Sequence, residues 1–529
     1  MTTVAARGTP VDGGSPPSSE TRQSARSGVI GLIGAAASGL FGFGLAVVIT
    51  RAYGTTGSGA FFAAIGVVTV AAAICTLGAE TGLMWALPRR RAGAGGDAAR
   101  ILPVALVPPV VLALLVAVGG VVVADQLAPR LLASSGSQGQ RLLEVTFAAV
   151  PVVVVTMLLL AALRCLRSIG AYVAVQFFLL PIGRPALVGV IALVGGGLAL
   201  GMTGWLVPAA VALIVCAALI TRPLGIGRGA NSVPERTDWR TFWGFALPRA
   251  ASAAIDAGSM WIGVLLTAAL ASQADAGVFG AVGRYVLAGQ LAMQGLRVAT
   301  SPQLSRLLGQ GRRAEAAAVH RQLTTWGIVL SWPIYLLLAV FGLGFLQLFG
   351  PDFVAGATAM SVLAVAMLIN IAVGNVQSLL LMGGRSRLHL MTTLAGLLVN
   401  VSLSLLLVSE HGVLGAAVAW GCGIATENIG AAVAARRVVG HPISDAGMLR
   451  AALLVVAGVG AAAAVGVALG GRGLAGLGIA LAVLGVGCVG LLTVPAVRRA
   501  LRAVIAQITR RGGNDAPPPV SLAAAQDEG

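Results

Sequence analysis

The stretch "AGVFGAVGRYVLAGQLAMQG" at residues 276–295 has the length and apolar character of a membrane-spanning helix, except for Arg284. Apolar or small residues flank this arginine on both sides, so its guanidinium would lie within the hydrocarbon region. A charge at that depth costs about 2.5–3.5 kcal/mol on insertion scales. Charged residues in membrane spans usually face the interior of a helix bundle or a wet cavity. Arg284 therefore predicts a polar cavity inside a membrane protein.

The composition of the whole chain agrees with a membrane protein. Of its 529 residues, 57% are hydrophobic and only 10% are charged, whereas about 25% are charged in a typical soluble protein. The chain also has 73 glycines, and small residues let membrane helices approach one another closely. We therefore predict an all-α, polytopic protein of the bacterial cytoplasmic membrane.

Fourteen apolar segments are long enough to span a bilayer, which takes about 20 residues each. The predicted spans are residues 28–50, 60–86, 101–124, 145–163, 171–195, 203–221, 242–270, 277–300, 323–349, 354–382, 388–408, 412–434, 450–469 and 473–495. Because this number is even, both termini lie on the same side of the membrane, which we predict to be the cytoplasmic side.

The arginines between the spans support this topology. All 35 basic residues are arginines, and the predicted outer loops hold only Arg51, Arg130, Arg141 and Arg472. The other loop arginines fall on the predicted inner side, as the positive-inside rule requires. The net charge of +17 therefore reports membrane orientation, and we expect no nucleic-acid partner.

Residues 28–222 and 242–440 are predicted to form two six-helix lobes, the N-lobe and the C-lobe. A cytoplasmic linker at 223–241 joins them, and residues 441–495 hold the last two spans. This division rests on an internal repeat: "SGAFFAAIG" (58–66) aligns with "AGVFGAVGR" (276–284) and places Gly59 on Gly277. Duplicated lobes place a substrate site between them, near the middle of the bilayer.

The polar ends of the chain have their own predicted structures. Residues 1–27 and 512–529 are rich in small and polar residues and are predicted to be disordered tails. Residues 496–511 carry apolar side chains on one helical face and arginines on the other. This pattern favours a basic amphipathic helix that binds the anionic lipids of the inner leaflet, although a solvated helix end is an alternative.

The residue types do not point to a cofactor, a metal or an enzyme. The five cysteines and four histidines are dispersed through the chain, without the spacing of a metal site. The sequence has no phosphate-binding P-loop and no nucleophile–base pair at a motif spacing. We expect neither covalent catalysis nor ATP hydrolysis.

Several motifs resemble the lipid-linked oligosaccharide and polysaccharide flippases, Wzx-like and MurJ-related, of the multidrug/oligosaccharidyl-lipid/polysaccharide exporter superfamily. The resemblance covers roughly residues 28–440. Its motifs are "RAYGTTGSGAFF" after the first span, "FALP" (245–248), "AGVFGAVGR" (276–284), "SPQLSRL" (301–307), "LQLFGPDFVAGA" (346–357), "GGRSRL" (383–388) and "HGVLGAAVAWG" (411–421). The resemblance implies a transporter for a polyprenyl-diphosphate-linked glycan, with Arg284 facing the central cavity. One departure concerns Gly263, where many relatives carry an acidic residue; here the nearest acid is Asp256.

Four ionisable residues within the predicted spans are candidates for substrate binding: Arg184, Arg249, Asp256 and Arg284. A guanidinium matches phosphate oxygens in a bidentate way and stays charged in a site of low dielectric. Arg249 and Asp256 are seven residues apart, so they share one helical face about 10.5 Å apart along the axis. Each arginine also has an alternative, structural role. Carbonyl groups freed by Pro181 and Pro185 would satisfy Arg184, and Arg249 and Arg284 would snorkel to the membrane surface.

Three functions are compatible with these features. The favoured one is alternating-access flipping of a lipid-linked oligosaccharide, with the arginines holding the diphosphate; glycan-assembly enzymes of the cell envelope are candidate partners. A cation-coupled multidrug exporter would need membrane-embedded acids, of which Asp256 is the only well-buried one. A membrane glycan polymerase or ligase would need a large outer loop, but residues 125–144 are short and contain neither His nor Cys.

Overall fold

The structure is a computed structural model of the chain. It describes residues 19–92, 98–131, 136–167, 169–221, 234–290, 293, 303–440 and 442–493. In these ranges the backbone is helical, with short turns and no β-strand, which confirms the predicted all-α class. The contacts reported below lie within one compact unit, Ile30–Leu481.

The N-lobe contains eight α-helices and one π-helix. They are α1 (Ser19–Cys75), α2 (Ala79–Ala92), α3 (Ala98–Val122), α4 (Ala124–Leu131), α5 (Gly136–Leu166), α6 (Ile169–Val173), the π-helix Ala174–Leu179, α7 (Leu180–Leu193) and α8 (Leu198–Thr221). The central helix of this lobe is α5, which packs against α3 and α8.

The remaining helices form the C-lobe and the last two spans. They are α9 (Arg236–Leu270), α10 (Gln273–Gly289), a helical segment at 303–309, α11 (Arg313–Gln347), the 3₁₀ helix Pro351–Gly356, α12 (Ala357–Val373), α13 (Val376–Met382), α14 (Ser386–Val439), α15 (Ala446–Gly470) and α16 (Leu474–Thr493). In the C-lobe, α12 packs between α11 and α14, and α15 packs against α11.

Nine helices of the described part are long and apolar enough to cross a membrane. Two of them are long enough for two crossings: Ala37–Cys75 has 39 residues and Arg387–Arg437 has 51. Each is interrupted at a glycine with positive φ, Gly54 (φ 66°) in the first and Gly412 (φ 48°) in the second, a conformation that glycine adopts without steric cost. The first break falls between predicted spans 1 and 2, and the second falls at the first residue of predicted span 12.

Each predicted span therefore coincides, at least in part, with a helix, and the chain is a multi-pass membrane protein. The number of crossings and the side of the termini stay predictions. A continuous cluster of buried apolar side chains extends from α1 to α15. A second, smaller cluster lies around Leu304, Leu379 and Ala435.

Some predicted boundaries differ from the structure. Helix α1 begins at Ser19, inside the segment predicted to be a disordered tail, and α9 begins at Arg236, inside the predicted linker. Extending an existing helix is much easier than starting one, so both spans continue beyond their apolar residues. Span 2, predicted to be continuous, is broken by a turn at 76–78. The predicted amphipathic helix at 496–511 and the tail at 512–529 lie outside the described residues.

Candidate functional site

The two lobes meet closely where the aligned glycines lie. A Cβ atom placed on Gly59 would lie 1.7 Å from the carbonyl oxygen of Gln273. One placed on Gly277 would lie 2.1 Å from the carbonyl oxygen of Thr55 and 2.9 Å from the amide nitrogen of Gly59. The backbones of α1 and α10 therefore touch at this point. Following the orientation predicted from the arginines, we call this end of the bundle the outer end.

A second contact joins the lobes at the outer end. The Nε atom of Arg51 in α1 donates a hydrogen bond to the carbonyl oxygen of Leu348 (2.9 Å), and its Nη2 atom donates to that of Gln347 (3.0 Å). These carbonyls lie at the end of α11, where the last turn of a helix leaves acceptors unpaired. Arg51 therefore caps a C-lobe helix from the N-lobe.

The lobes also meet at the opposite end, which we call the inner end. Arg90 in α2 pairs with Asp238 in α9, and Arg100 in α3 pairs with Glu235 at 2.9 Å. Between the same helices, the rings of Trp85 and Phe245 stack with centroids 4.5 Å apart. The N-lobe and the C-lobe are thus in contact at both ends.

Asp238 is held in its ionised form at the inner end. Burial raises the pKa of its carboxyl, but the hydrogen bond from the Glu235 amide and the charges of Arg90 and Arg100 outweigh burial. The net pKa therefore lies below its usual range. The pair with Arg90 is accordingly ionised at cytoplasmic pH.

Arg284 lies between these two contacts, at the boundary of the lobes. Its Cζ atom is 5.4 Å from the ring centroid of Phe62 in the N-lobe and 5.2 Å from that of Trp261 in the C-lobe. It lines a small cavity of about 40 Å³ together with Phe279 and Trp420. This volume exceeds what a single water needs, ~10–15 Å³, but it is too small for a diphosphate head group. The site is closed in this conformation.

The charge of Arg284 has no acidic partner among the described residues. The aromatic faces of Phe62 and Trp261 supply a cation–π attraction, which is worth about 2 kcal/mol when desolvated. That is much less than an ionised partner would supply in a membrane interior. The guanidinium therefore remains a cation that the described side chains do not neutralise, and its chemistry suits an anionic ligand.

Arg184 lies elsewhere, between α7 and α8 of the N-lobe. Its Cζ atom is 4.1 Å from the ring centroid of Trp205, and its Nε atom is buried without a hydrogen-bond partner among the described residues. No carboxylate of the described part pairs with it. The cavity around Arg284 does not include Arg184, so the structure does not join the two arginines in one pocket in this conformation.

Arg249 and Asp256 both lie in α9, so the predicted spacing along one helix is present. The side chain of Asp256 lies outside the described part. Arg249 is exposed, with its Cζ atom 4.4 Å from the ring centroid of Phe245. Since Phe245 stacks on Trp85, Arg249 lies beside the inner contact and not in the Arg284 cavity.

The C-lobe holds a polar cavity that the sequence did not predict. It has a volume of about 250 Å³ and is lined by Gln290, Asn370, Asn375, Gln377, Glu427 and Asn428, with Trp420 on one side. The types of several of these residues were a usable signal, because amides and acids are rare in membrane spans. Their convergence was not, since it depends on how α10, α12, α13 and α14 pack against one another.

Comparisons with known proteins identify the fold. No protein-family model matches the sequence, and no curated protein matches it. Among solved structures, the lipid II flippase MurJ in an inward closed conformation matches with a TM-score of 0.65 at 11% identity, covering 87% of this chain and 99% of that one. An inward-facing multidrug resistance MATE family transporter of the MOP superfamily matches with a TM-score of 0.59 at 15% identity, covering 76% and 94%.

A third structure, a ligand complex of the MATE multidrug transporter DinF-BH, matches with a TM-score of 0.53 at 18% identity, covering 80% of this chain and 97% of that one. At identities this low, the likeness establishes the architecture alone. The chain therefore has the fold of the MATE and MurJ membrane transporters. This confirms the fold implied by the sequence motifs.

Proposed function

We propose that this protein is a transporter that flips a polyprenyl-diphosphate-linked oligosaccharide across the bacterial cytoplasmic membrane by alternating access. One observation carries the proposal: Arg284 lies at the boundary of the lobes without an acidic partner among the described residues. The fold shared with the lipid II flippase MurJ gives the proposal a structural precedent.

The chemistry of Arg284 favours an anionic head group over a neutral one. A guanidinium presents parallel N–H donors that match two phosphate oxygens. Because the surroundings of Arg284 are aromatic and apolar, the electrostatic attraction is weakly screened there. A diphosphate supplies the charge that this cavity lacks, while the lipid tail stays in the bilayer.

The two interlobe contacts supply the gates of such a cycle. At the outer end, Gly59 packs on Gly277 and Arg51 caps α11; at the inner end, Arg90 pairs with Asp238. Opening the inner contact exposes Arg284 to the cytoplasmic leaflet, and opening the outer contact exposes it to the other leaflet. The closed cavity corresponds to the state in which neither contact is open.

In this proposal the other candidate residues act at different stages. Arg249, exposed beside the inner contact, attracts the diphosphate as it enters, and a bound ligand or a chain of waters bridges Arg249 and Asp256. Arg184 approaches the substrate from the N-lobe once the lobes separate, since its Nε atom has no partner among the described residues in the closed state. The predicted helix at 496–511 binds anionic lipids of the inner leaflet.

A multidrug exporter is the second candidate, and the aromatic side chains around Arg284 favour it. Trp261, Phe279 and Trp420 line the cavity, and aromatic faces suit flat, lipophilic drugs. The multidrug transporter DinF-BH, which has this fold, was solved with a ligand bound. However, Arg284 would repel a cationic drug in a desolvated site, so this function ranks second.

Native mass spectrometry of the protein, extracted gently from its own membrane, tests the proposal. We expect a co-purified polyprenyl-diphosphate glycan on the wild-type protein and much less of it on Arg284→Ala. Arg141→Gln, a change at an exposed arginine near the start of α5, serves as the matched control and retains the lipid. Recovery of a lipophilic cation in place of an isoprenoid lipid would replace the flippase proposal with the drug exporter.

A further inference from the structure

The polar cavity of the C-lobe is separate from the Arg284 cavity, yet one side chain lines both. Trp420 contributes to the wall of each, and its ring packs edge-to-face on Phe279 at 5.9 Å. Helix α10 connects the two sites as well, because Gln290 lies six residues beyond Arg284. That spacing is about 9 Å along a helix axis, so the cavities are immediate neighbours.

Several amide groups in this cavity have poor hydrogen-bond partners. The Nδ2 atom of Asn375 is buried with no hydrogen-bond partner among the described residues. The amide nitrogens of Asn370 and Gln290 approach only the sulfur of Met367, at 3.8 and 3.5 Å, and a thioether is a weak acceptor. An unsatisfied polar group inside a membrane protein costs several kcal/mol. Water or a ligand rich in hydrogen-bond acceptors can satisfy the groups that face this cavity.

Glu427 adds acceptor capacity of its own to the lining of the cavity. Its Oε1 atom accepts hydrogen bonds from Gln377 (2.7 Å) and Thr393 (3.0 Å). These two bonds fix the carboxyl through Oε1, and Oε2 accepts no hydrogen bond from the described residues. The lining of the cavity thus combines amide donors, a carboxylate acceptor and the apolar ring of Trp420.

Sugar chemistry fits these features better than a metal ion does. Hydroxyl and N-acetyl groups carry both donors and acceptors, and the C–H face of a sugar ring packs on an aromatic ring. A cation would leave the amide N–H groups of Asn375, Asn370 and Gln290 unsatisfied, since it supplies no acceptor. The volume of about 250 Å³ is many times the ~10–15 Å³ that a single water needs, so a lone dehydrated ion would not fill it.

We infer that this cavity, between Trp420 and Glu427, is the subsite for the first sugar of the lipid-linked glycan. The inference rests on the proposed function, which places the diphosphate at Arg284. The first sugar is bonded directly to the diphosphate, so its subsite must adjoin the diphosphate site. Specificity for the glycan would then lie in the C-lobe, in amides contributed by α10, α12 and α13.

Two lipid probes test the inference: polyprenyl diphosphate carrying one N-acetylhexosamine, and the same polyprenyl diphosphate without sugar. We expect the wild-type protein to bind the sugar-bearing probe more tightly. In Asn370→Leu and Glu427→Gln, affinity for that probe falls about tenfold, the loss of roughly one buried hydrogen bond. Binding of the bare probe stays unchanged and also reports that the variants are folded. Gln322→Leu, which alters an exposed amide of α11, is the matched control.

These measurements distinguish failure of the proposed function from failure of the sugar subsite. If the wild-type protein binds neither probe, the proposed function fails and the inference fails with it. If it binds both probes equally well, or if the variants weaken both to the same extent, only the sugar subsite is overturned. Binding of the sugar-bearing probe could instead depend on sodium or protons. If this dependence disappears in Glu427→Gln, the cavity binds a cation and the inference is overturned.

Discussion

Gly59 and Gly277, which occupy equivalent positions in the two repeats, pack directly against each other in the structure. A Cβ atom on Gly59 would lie 2.8 Å from the amide nitrogen of Gly277, and one on Gly277 would lie 2.9 Å from that of Gly59. The local axis relating the two lobes therefore passes between these residues. Two glycines are needed because each helix presents its backbone to the other.

Substituting either glycine should weaken the outer contact. A methyl group in Gly59→Ala or Gly277→Ala would meet backbone atoms that cannot move aside, and overpacking of this kind costs about 1–3 kcal/mol. We expect faster labelling of cysteines introduced near the outer end and a lower melting temperature. Gly44→Ala is the control, because a Cβ there meets nothing within 4 Å. Equal behaviour of Gly59→Ala and Gly44→Ala would show that the close approach does not hold the lobes together.

Arg51 should stabilise the outer contact in addition to the two glycines. Its two hydrogen bonds to Gln347 and Leu348 involve a charged donor, for which about 1.5–3 kcal/mol is typical; since Arg51 is exposed, we expect the lower end of that range. Arg51→Gln should increase outer-end labelling, and Arg51→Lys should give an intermediate result. Unchanged labelling in Arg51→Gln would contradict this assignment.

The inner ion pair should respond to charge reversal. Arg90→Asp places two acids together and should open the inner contact, whereas Arg90→Asp combined with Asp238→Arg should restore it. A coupling energy of about 1 kcal/mol is expected for residues in contact, measured from the melting temperatures of the four proteins. Additive effects of the two substitutions would mean that the pair does not stabilise the closed state.

The depressed pKa of Asp238 predicts how this contact depends on pH. A carboxyl with a lowered folded-state pKa stabilises the contact fully above its unfolded value, about 3.9, and loses that contribution as the pH falls through the folded-state value. Labelling at the inner end should therefore be constant between about pH 5 and 8 and increase in stronger acid. Asp238→Asn should abolish the increase of inner-end labelling in acid. An increase already near neutral pH would assign the transition to another group.

Much of this architecture could be predicted from the sequence because lipid imposes strong rules. Apolar length identified the helices, and the repeat identified Gly59 and Gly277 as equivalent; the orientation indicated by the arginines stays a prediction. The contact between them was not predictable, because equivalence does not reveal where the symmetry axis passes. The stacking of Arg184 on Trp205 was not predicted either, because the sequence does not show how α7 packs against α8. Arg184 itself stood out as a charge within a span.

The polar cavity of the C-lobe shows a second limit. Glu427 and Asn370 were each recognisable as unusual residues in membrane spans, yet they lie on different helices. Their proximity depends on the packing of α12 and α14 and on the break between α12 and α13 at Gly374. Sequence reasoning identifies such residues singly, and only the tertiary structure brings them into one cavity.

The central claim, that the lobes carry a diphosphate-linked glycan past Arg284, is tested most directly by a flipping assay in proteoliposomes. A polyprenyl-diphosphate glycan is incorporated into both leaflets, and a membrane-impermeant glycosidase reports the fraction that reaches the outer leaflet. We predict complete, time-dependent cleavage with the wild-type protein, slow cleavage with Arg284→Lys, and cleavage limited to the initial outer-leaflet fraction with Arg284→Gln. Cleavage limited to that fraction with the wild-type protein, or equal rates for the wild-type protein and Arg284→Gln, would contradict the account.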